Sequence, residues 1–262
     1  MRAGVGILML AVLPSIVCAG PILHDANVTP DLILGAGNAN GGFTVDRDNG
    51  IEIGLRGKLR FDSSNQPQNI FNSNGDGTYT FETGQPVGGG FGFAPGSSST
   101  AVWSFDWSIN SDFAGLTGNN LDAFEYLMEI DFDPSAGENF LAFDPINVPS
   151  PDFADHAIGT NATGNGMGVN AADRTGYLNL LANNNVAQNS WNMEFFDDAG
   201  AGFGFNANVD GIYTIRLSAL DGGNVVASSS IQVISQTVPE PSSMAIFGFG
   251  ALGLLVRKRR RS

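Results

Sequence analysis

Glu129-Ile130-Asp131-Phe132-Asp133 carries three carboxylates at alternate positions of one short run. In an extended strand alternate side chains leave from the same face, so successive acids here would stand about 6.6 Å apart. Two chemistries fit that spacing. Crowded carboxylates raise one another's pKa, which suits general acid–base work. The same oxygens, completed by Glu138 or loop carbonyls, suit a Ca²⁺ cage. A third reading needs no chemistry: the acids line a solvated sheet face, opposite Arg56, Lys58 or Arg60 across the strands. The residues themselves assign no catalytic group. Glu129, Asp131 and Asp133 stand as candidate Ca²⁺ ligands, and no other cofactor is expected.

The string also resembles the E-x-D-x-E signature of laminarinase-type, concanavalin-like glycoside hydrolases. That resemblance implies Glu129 as nucleophile, Asp131 as its partner and Asp133 in the acid/base position. Asp133 departs from the signature by one methylene, and retaining hydrolysis needs its two carboxyls about 5–5.5 Å apart. Glycan cleavage through Glu129 and Asp133 is therefore the enzymatic alternative to a non-catalytic protein.

Other chemistry is thinly supplied. Asn72-Ser73-Asn74-Gly75-Asp76-Gly77 begins like a calcium loop, but the twelfth ligand position holds Thr83, so a turn between strands is the better reading. The chain has two His, His24 and His156, and one Cys, Cys18. That leaves too few ligands for a zinc centre. Asp155-His156 would make a base only with a nucleophile that no motif supplies, and His156 is expected to be exposed on a loop. No G-x-S-x-G elbow and no phosphate-cradling glycine loop occurs.

The elements that must position these residues read as strands. Ile51 to Phe61 alternates apolar residues or Gly with Glu52, Arg56, Lys58 and Arg60. Ala101 to Asn110, Phe124 to Phe132 and Tyr213 to Ala219 alternate in the same way, each predicting a strand with one dry and one wet face. Trp103, Phe105 and Trp107 share the dry face and are expected in the core. Weaker strands are expected near 42–45, 78–82, 139–143, 176–181, 191–196 and 225–234, with 144–175 a long loop and no amphipathic helix of three turns. Asn49-Gly50, Asp76-Gly77 and Asp210-Gly211 supply turns. The expected fold is all-β, a single antiparallel β-sandwich of jelly-roll or Ig-like type over 20–235. Asp210-Gly211-Ile212-Tyr213 resembles the tyrosine corner of Ig-like domains, a structural device in which the hydroxyl bonds backbone.

Charge then separates this body from its ends. Residues 20–238 hold 25 acids against six bases, a net charge of −19 inside a chain of 262 residues that totals −14. Such a surface argues against nucleic acid as a partner. The 25 Asn and 35 Gly suit turns between strands.

At the N-terminus Arg2, the apolar stretch Ile7 to Val17 and the small-residue site before Gly20 predict a signal peptide over 1–19. Export through the secretion machinery would remove Cys18 and leave a body without disulfides. At the other end Val238-Pro239-Glu240-Pro241-Ser242-Ser243 precedes thirteen uncharged residues, Met244 to Val256, and then Arg257, Lys258, Arg259, Arg260 and Arg261. Thirteen helical residues span about 20 Å, and flanking serines with snorkelling cations extend that toward a ~30 Å hydrocarbon core. The cations predict a single transmembrane helix with a cytoplasmic stop.

The order Pro-Glu-Pro, apolar helix, basic end over 239–262 resembles the PEP-CTERM sorting signal, here taken as 236–262. The resemblance implies an exosortase-type enzyme as partner, with Pro239, Glu240 and Pro241 as recognition residues. It further implies a Gram-negative bacterial host that makes exopolysaccharide, transient membrane anchoring, then release or attachment at the cell surface. It implies nothing about the body, for which a structural or binding module is expected. A Ca²⁺- or polysaccharide-binding adhesin is the alternative within that class.

Overall fold

The computed structural model describes residues 20–87, 97–197 and 203–237. The expected signal peptide and the Pro-Glu-Pro, helix and basic-cluster segments fall outside these residues. The strands are β1 (Leu23–Ala26), β2 (Phe43–Asp48), β3 (Ile51–Leu59), β4 (Thr78–Glu82), β5 (Trp103–Asn110), β6 (Glu125–Asp131), β7 (Phe140–Phe143), β8 (Ala157–Gly159), β9 (Val186–Trp191), β10 (Gly211–Asp221) and β11 (Asn224–Gln236). One helix, α1 (Arg174–Asn183), joins β8 to β9. They form a six-stranded sheet ordered β1-β2-β3-β5-β9-β8 and a five-stranded sheet ordered β4-β11-β10-β6-β7.

Two faces meet in one core. Ile53, Leu55, Trp103, Phe105 and Trp107 from the first sheet pack with Tyr79, Met128, Tyr213, Leu217 and Val233 from the second. These are the alternate apolar positions, and each pairs in register with its neighbour, as Leu55 does with Trp107. At Gly57 the sheets come so close that a Cβ would lie 2.8 Å from both Phe81 Cε2 and Tyr79 Cβ. The β2–β3 hairpin turns on Asn49 and Gly50, whose φ values of 50° and 82° are the left-handed pair that a two-residue hairpin requires.

Three expectations are corrected. The sheets are not purely antiparallel, because β4 joins β11 in parallel. Residues 176–181 are helical rather than extended. Asp173 caps α1 by accepting from the Gly176 N–H at 2.7 Å, and Tyr177 and Leu181, one turn apart, are buried. The expected strand at 191–196 ends at Trp191, and Met193–Phe196 is a 3₁₀ turn.

The expected wet face of β3 is also dry. The segment 27–42 folds back over it as a third layer, so Glu52, Arg56 and Lys58 are 0%, 0% and 5% exposed. Each even position has its partner in the cover. Glu52 accepts from the Thr29 N–H at 2.6 Å, a Cβ on Gly54 would touch Val28 at 2.7 Å, Arg56 donates to the Ala39 and Gly41 carbonyls, and Lys58 donates to Asn38 Oδ1. Gln188 on β9 continues the row, accepting from the Ile33 N–H and donating to the Asp31 carbonyl. Small apolar clusters, Val28-Leu32-Phe43-Val45 and Ile33-Ala157-Val186, fasten the cover beside this polar row.

Candidate functional site

The acidic run does not act as one group. β6 ends at Asp131, and Pro134 lies just beyond, a residue that cannot donate to a ladder. Glu129 stays on the outer face of its sheet and meets Arg216 of β10 at 3.1 Å, with both side chains partly exposed at 20% and 35%. The partner is thus Arg216 rather than Arg56, Lys58 or Arg60. Asp131 is buried, and its Oδ1 accepts from the Asp133 N–H at 3.0 Å and the Asn139 N–H at 2.9 Å. Asp133 lies past the strand and accepts from the Ser135 N–H at 2.8 Å. Glu138 is exposed. The structure therefore gives the three acids three separate local tasks: a cross-strand ion pair, a loop closure and a turn. Among the described residues no group of three or more His, Cys, Asp or Glu is arranged to hold a metal ion.

The other sequence candidates also serve the fold. In the 72–77 turn Asp76 Oδ1 accepts from the Thr78 N–H and hydroxyl, and Asn74 donates to Thr78 and Thr80. His156 is buried rather than exposed. One ring nitrogen, Nε2, lies 2.7 Å from the Pro145 carbonyl, and Nδ1 lies 3.1 Å from the Asn189 amide. A carbonyl on one side and an amide donor on the other fit the neutral tautomer with the proton on Nε2. Burial holds its pKa below the ordinary value, and Trp107 packs edge-on at 4.8 Å.

Sequence reading missed the buried cations. The Arg56 guanidinium meets Asp106 Oδ2 through Nε at 2.8 Å and through Nη2 at 2.7 Å, and it lies over the rings of Phe71 and Phe43, 3.9 and 4.3 Å from their centres. Burial alone would raise the Asp106 carboxyl, but Arg56 and Lys58 together hold it below the usual carboxylate value. Where the cover thins, a cavity of about 380 Å³ opens over the far end of β3. Lys58, Arg60, Ser104 and Ser190 line its floor, with Asn38 and Asn69 on the loop side. Asn69 fastens that wall by accepting from the Ala39 N–H and donating to the Gly37 carbonyl. Burial lowers the pKa of both Lys58 and Arg60, while nearby Asp106 offsets part of the effect.

β11 runs to Gln236, and the next residue is held to the domain. Asp210 Oδ1 accepts from the Thr237 N–H at 2.9 Å and its hydroxyl at 2.8 Å. A scan of known families matches residues 237–261. The tail is a PEP-CTERM protein-sorting motif. The PEP-CTERM match includes Pro239, Glu240, Pro241 and the run Arg257 to Arg261. It marks an exported protein handled by an exosortase-type sorting system. The PEP-CTERM motif starts at the Asp210 clasp, one residue after the last strand of the second sheet. Neither the curated proteins nor the solved structures contain a match to the chain. Among the described residues no helix is long and apolar enough to cross a membrane.

Proposed function

We propose that the protein is a non-catalytic module of the cell surface or extracellular matrix, acting by binding or as a structural component. In this reading secretion machinery exports it, the helix at 244–256 with Arg257 to Arg261 holds it in the membrane, and an exosortase acts at Pro239-Glu240-Pro241. The host is a Gram-negative bacterium, and the product sits at the surface or in an exopolysaccharide-rich matrix. The carrying observation is the sorting motif placed directly after the final strand of an acidic β domain. The domain is read as a β-sandwich of Ig-like type, with Tyr213, whose hydroxyl lies 3.5 Å from the Val209 carbonyl, as its tyrosine corner.

The non-catalytic reading is supported by how Glu129, Asp131 and Asp133 are used. Glu129 pairs with Arg216, Asp131 accepts from the Asp133 and Asn139 N–H groups, and Asp133 lies past the end of the strand that carries Glu129 and accepts from Ser135, so each acid already has a local task. Deleting residues 239–262 in the native host is the test. The deleted form is expected to lose processing and to change location. Unchanged processing and location would reject the sorting reading.

A further inference from the structure

The cavity at the edge of the cover joins two features that the fold alone does not require. The first is concentrated positive charge in an acidic body. Of the six basic residues between 20 and 238, three alternate along one strand and its exit, Arg56, Lys58 and Arg60. Asp106 neutralises Arg56. Lys58, 5% exposed, donates instead to the neutral Asn38 Oδ1, and among the described residues no carboxylate lies within 4.0 Å of its ammonium. An ammonium has three donors, so a group this buried retains capacity for an acceptor from the cavity side. Two acids share this end of the strand: Asp106 pairs with Arg56 and also acts on Lys58 and Arg60, and Glu194 accepts from the Thr100 hydroxyl at 2.5 Å and acts on Arg60.

The second feature is the remaining lining. Ser104 and Ser190 on the floor bring hydroxyls and Asn69 on the wall keeps one amide N–H beyond its bond to Gly37, whereas the Asn38 amide is committed to Lys58 and to the Leu34 and Gly35 carbonyls; Phe195, 44% exposed, stands at the margin. Hydroxyl and amide groups match a ligand rich in hydroxyls, an aromatic ring matches the apolar face of a pyranose, and a buried cation matches a carboxylate. A volume of about 380 Å³ lies at the small end of ordinary ligand pockets, about 300–1,000 Å³, which suits a single sugar unit better than an enclosed chain.

We propose that this cavity binds a sugar acid of hexuronate type, its carboxylate against the Lys58 ammonium on the Arg60 side and its hydroxyls toward Ser104, Ser190 and the Asn69 amide. The inference rests on the cavity and not on the sorting route, so either can fail without the other. The test is calorimetric titration of the full chain in mild detergent with D-glucuronate, D-glucose, acetate and inorganic phosphate as separate probes. Glucuronate is expected to bind saturably, with glucose and acetate at least tenfold weaker. Lys58→Met keeps the apolar stem and removes the charge, and it should weaken glucuronate at least tenfold while the melting transition stays cooperative. Arg60→Gln leaves Lys58 itself unchanged and should weaken binding in the same direction; if Lys58→Met fails to fold, undiminished binding in a folded Arg60→Gln protein overturns the proposal. No saturable glucuronate binding, or undiminished binding in a folded Lys58→Met protein, overturns the proposal. Phosphate or acetate binding as tightly as glucuronate overturns the sugar-acid assignment.

Discussion

Removing the Arg56 charge should loosen the whole third layer. Arg56→Met preserves much of the stem but strands the Asp106 carboxylate, which is 0% exposed, with no guanidinium 2.7 Å away. It also frees the Ala39 and Gly41 carbonyls and removes the cation from between Phe43 and Phe71. Breaking a buried pair by deleting one partner costs about 3–5 kcal/mol, because the surviving charge has no compensation. For a domain of this size about 1 kcal/mol moves the melting temperature by roughly 2–4 °C, so the expected drop is roughly 6–20 °C. Asp106→Leu in the Arg56→Met background removes the stranded charge and should recover much of that loss. Denaturant melts of the full chain, with limited proteolysis of the 27–42 segment, read the stability and the cover separately. A single-variant cost below about 1 kcal/mol, or no recovery in the double variant, would refute the idea that this pair organises the cover.

Gly57→Ala places a methyl 2.8 Å from Phe81 and Tyr79, so it should cost about 1–3 kcal/mol in a denaturant melt. Leu181→Ala should cost about 2–5 kcal/mol by removing one of the helix's two buried side chains, and far-ultraviolet circular dichroism should show whether α1 survives. The lowered His156 pKa makes a prediction for mildly acidic pH. Above its ordinary value of 6.5 the ring is neutral folded and unfolded, but below 6.5 the unfolded chain takes a proton that the folded core resists. Stability should therefore fall with pH below 6.5, by up to about 1.4 kcal/mol per unit from this group. His156→Phe should flatten that part of the profile, and identical slopes in both proteins would contradict it. Glu129→Gln disturbs only a partly exposed ion pair and should cost less than about 1 kcal/mol, measured by the same melts.

The dry side of each main strand was legible because period two is a local signal. Ile53, Leu55, Trp103 and Trp107 point inward wherever the rest of the chain goes. The fate of the opposite side was not local. Glu52, Arg56 and Lys58 look like a solvated edge until 27–42, a stretch of Gly and Asn without strand periodicity, folds over them. One mark of this was present: Gly54 interrupts the polar row at the position where Val28 presses closest. The helix was hidden because its first turn contains Gly176 and its last Asn183, and because Tyr177, Leu178, Leu180 and Leu181 form no clean helical stripe, only Tyr177 and Leu181 being buried. The Asp173 cap was the visible signal. Reading the acids as one strand face assumed that β6 continues through Asp133, whereas Pro134 gave reason to end it sooner. The cavity was not readable at all, because it needs β3, β5, β9 and two distant loops in one place.

The exit of the tail from β11 also sets how the domain meets mechanical force. β11 lies inside its sheet, laddered to β10 on one side and to β4 on the other. A pull on residue 237 directed along β11 meets ladder hydrogen bonds that, between antiparallel strands, lie across that axis. The bonds to both neighbours are then sheared together instead of parting one at a time as they would in a peeled edge strand. The Asp210–Thr237 clasp takes the load before the ladder does. If the body is held by its tail, as the proposed function has it, drag is spread over an interior strand, and the first element to yield is a pair of hydrogen bonds that can re-form.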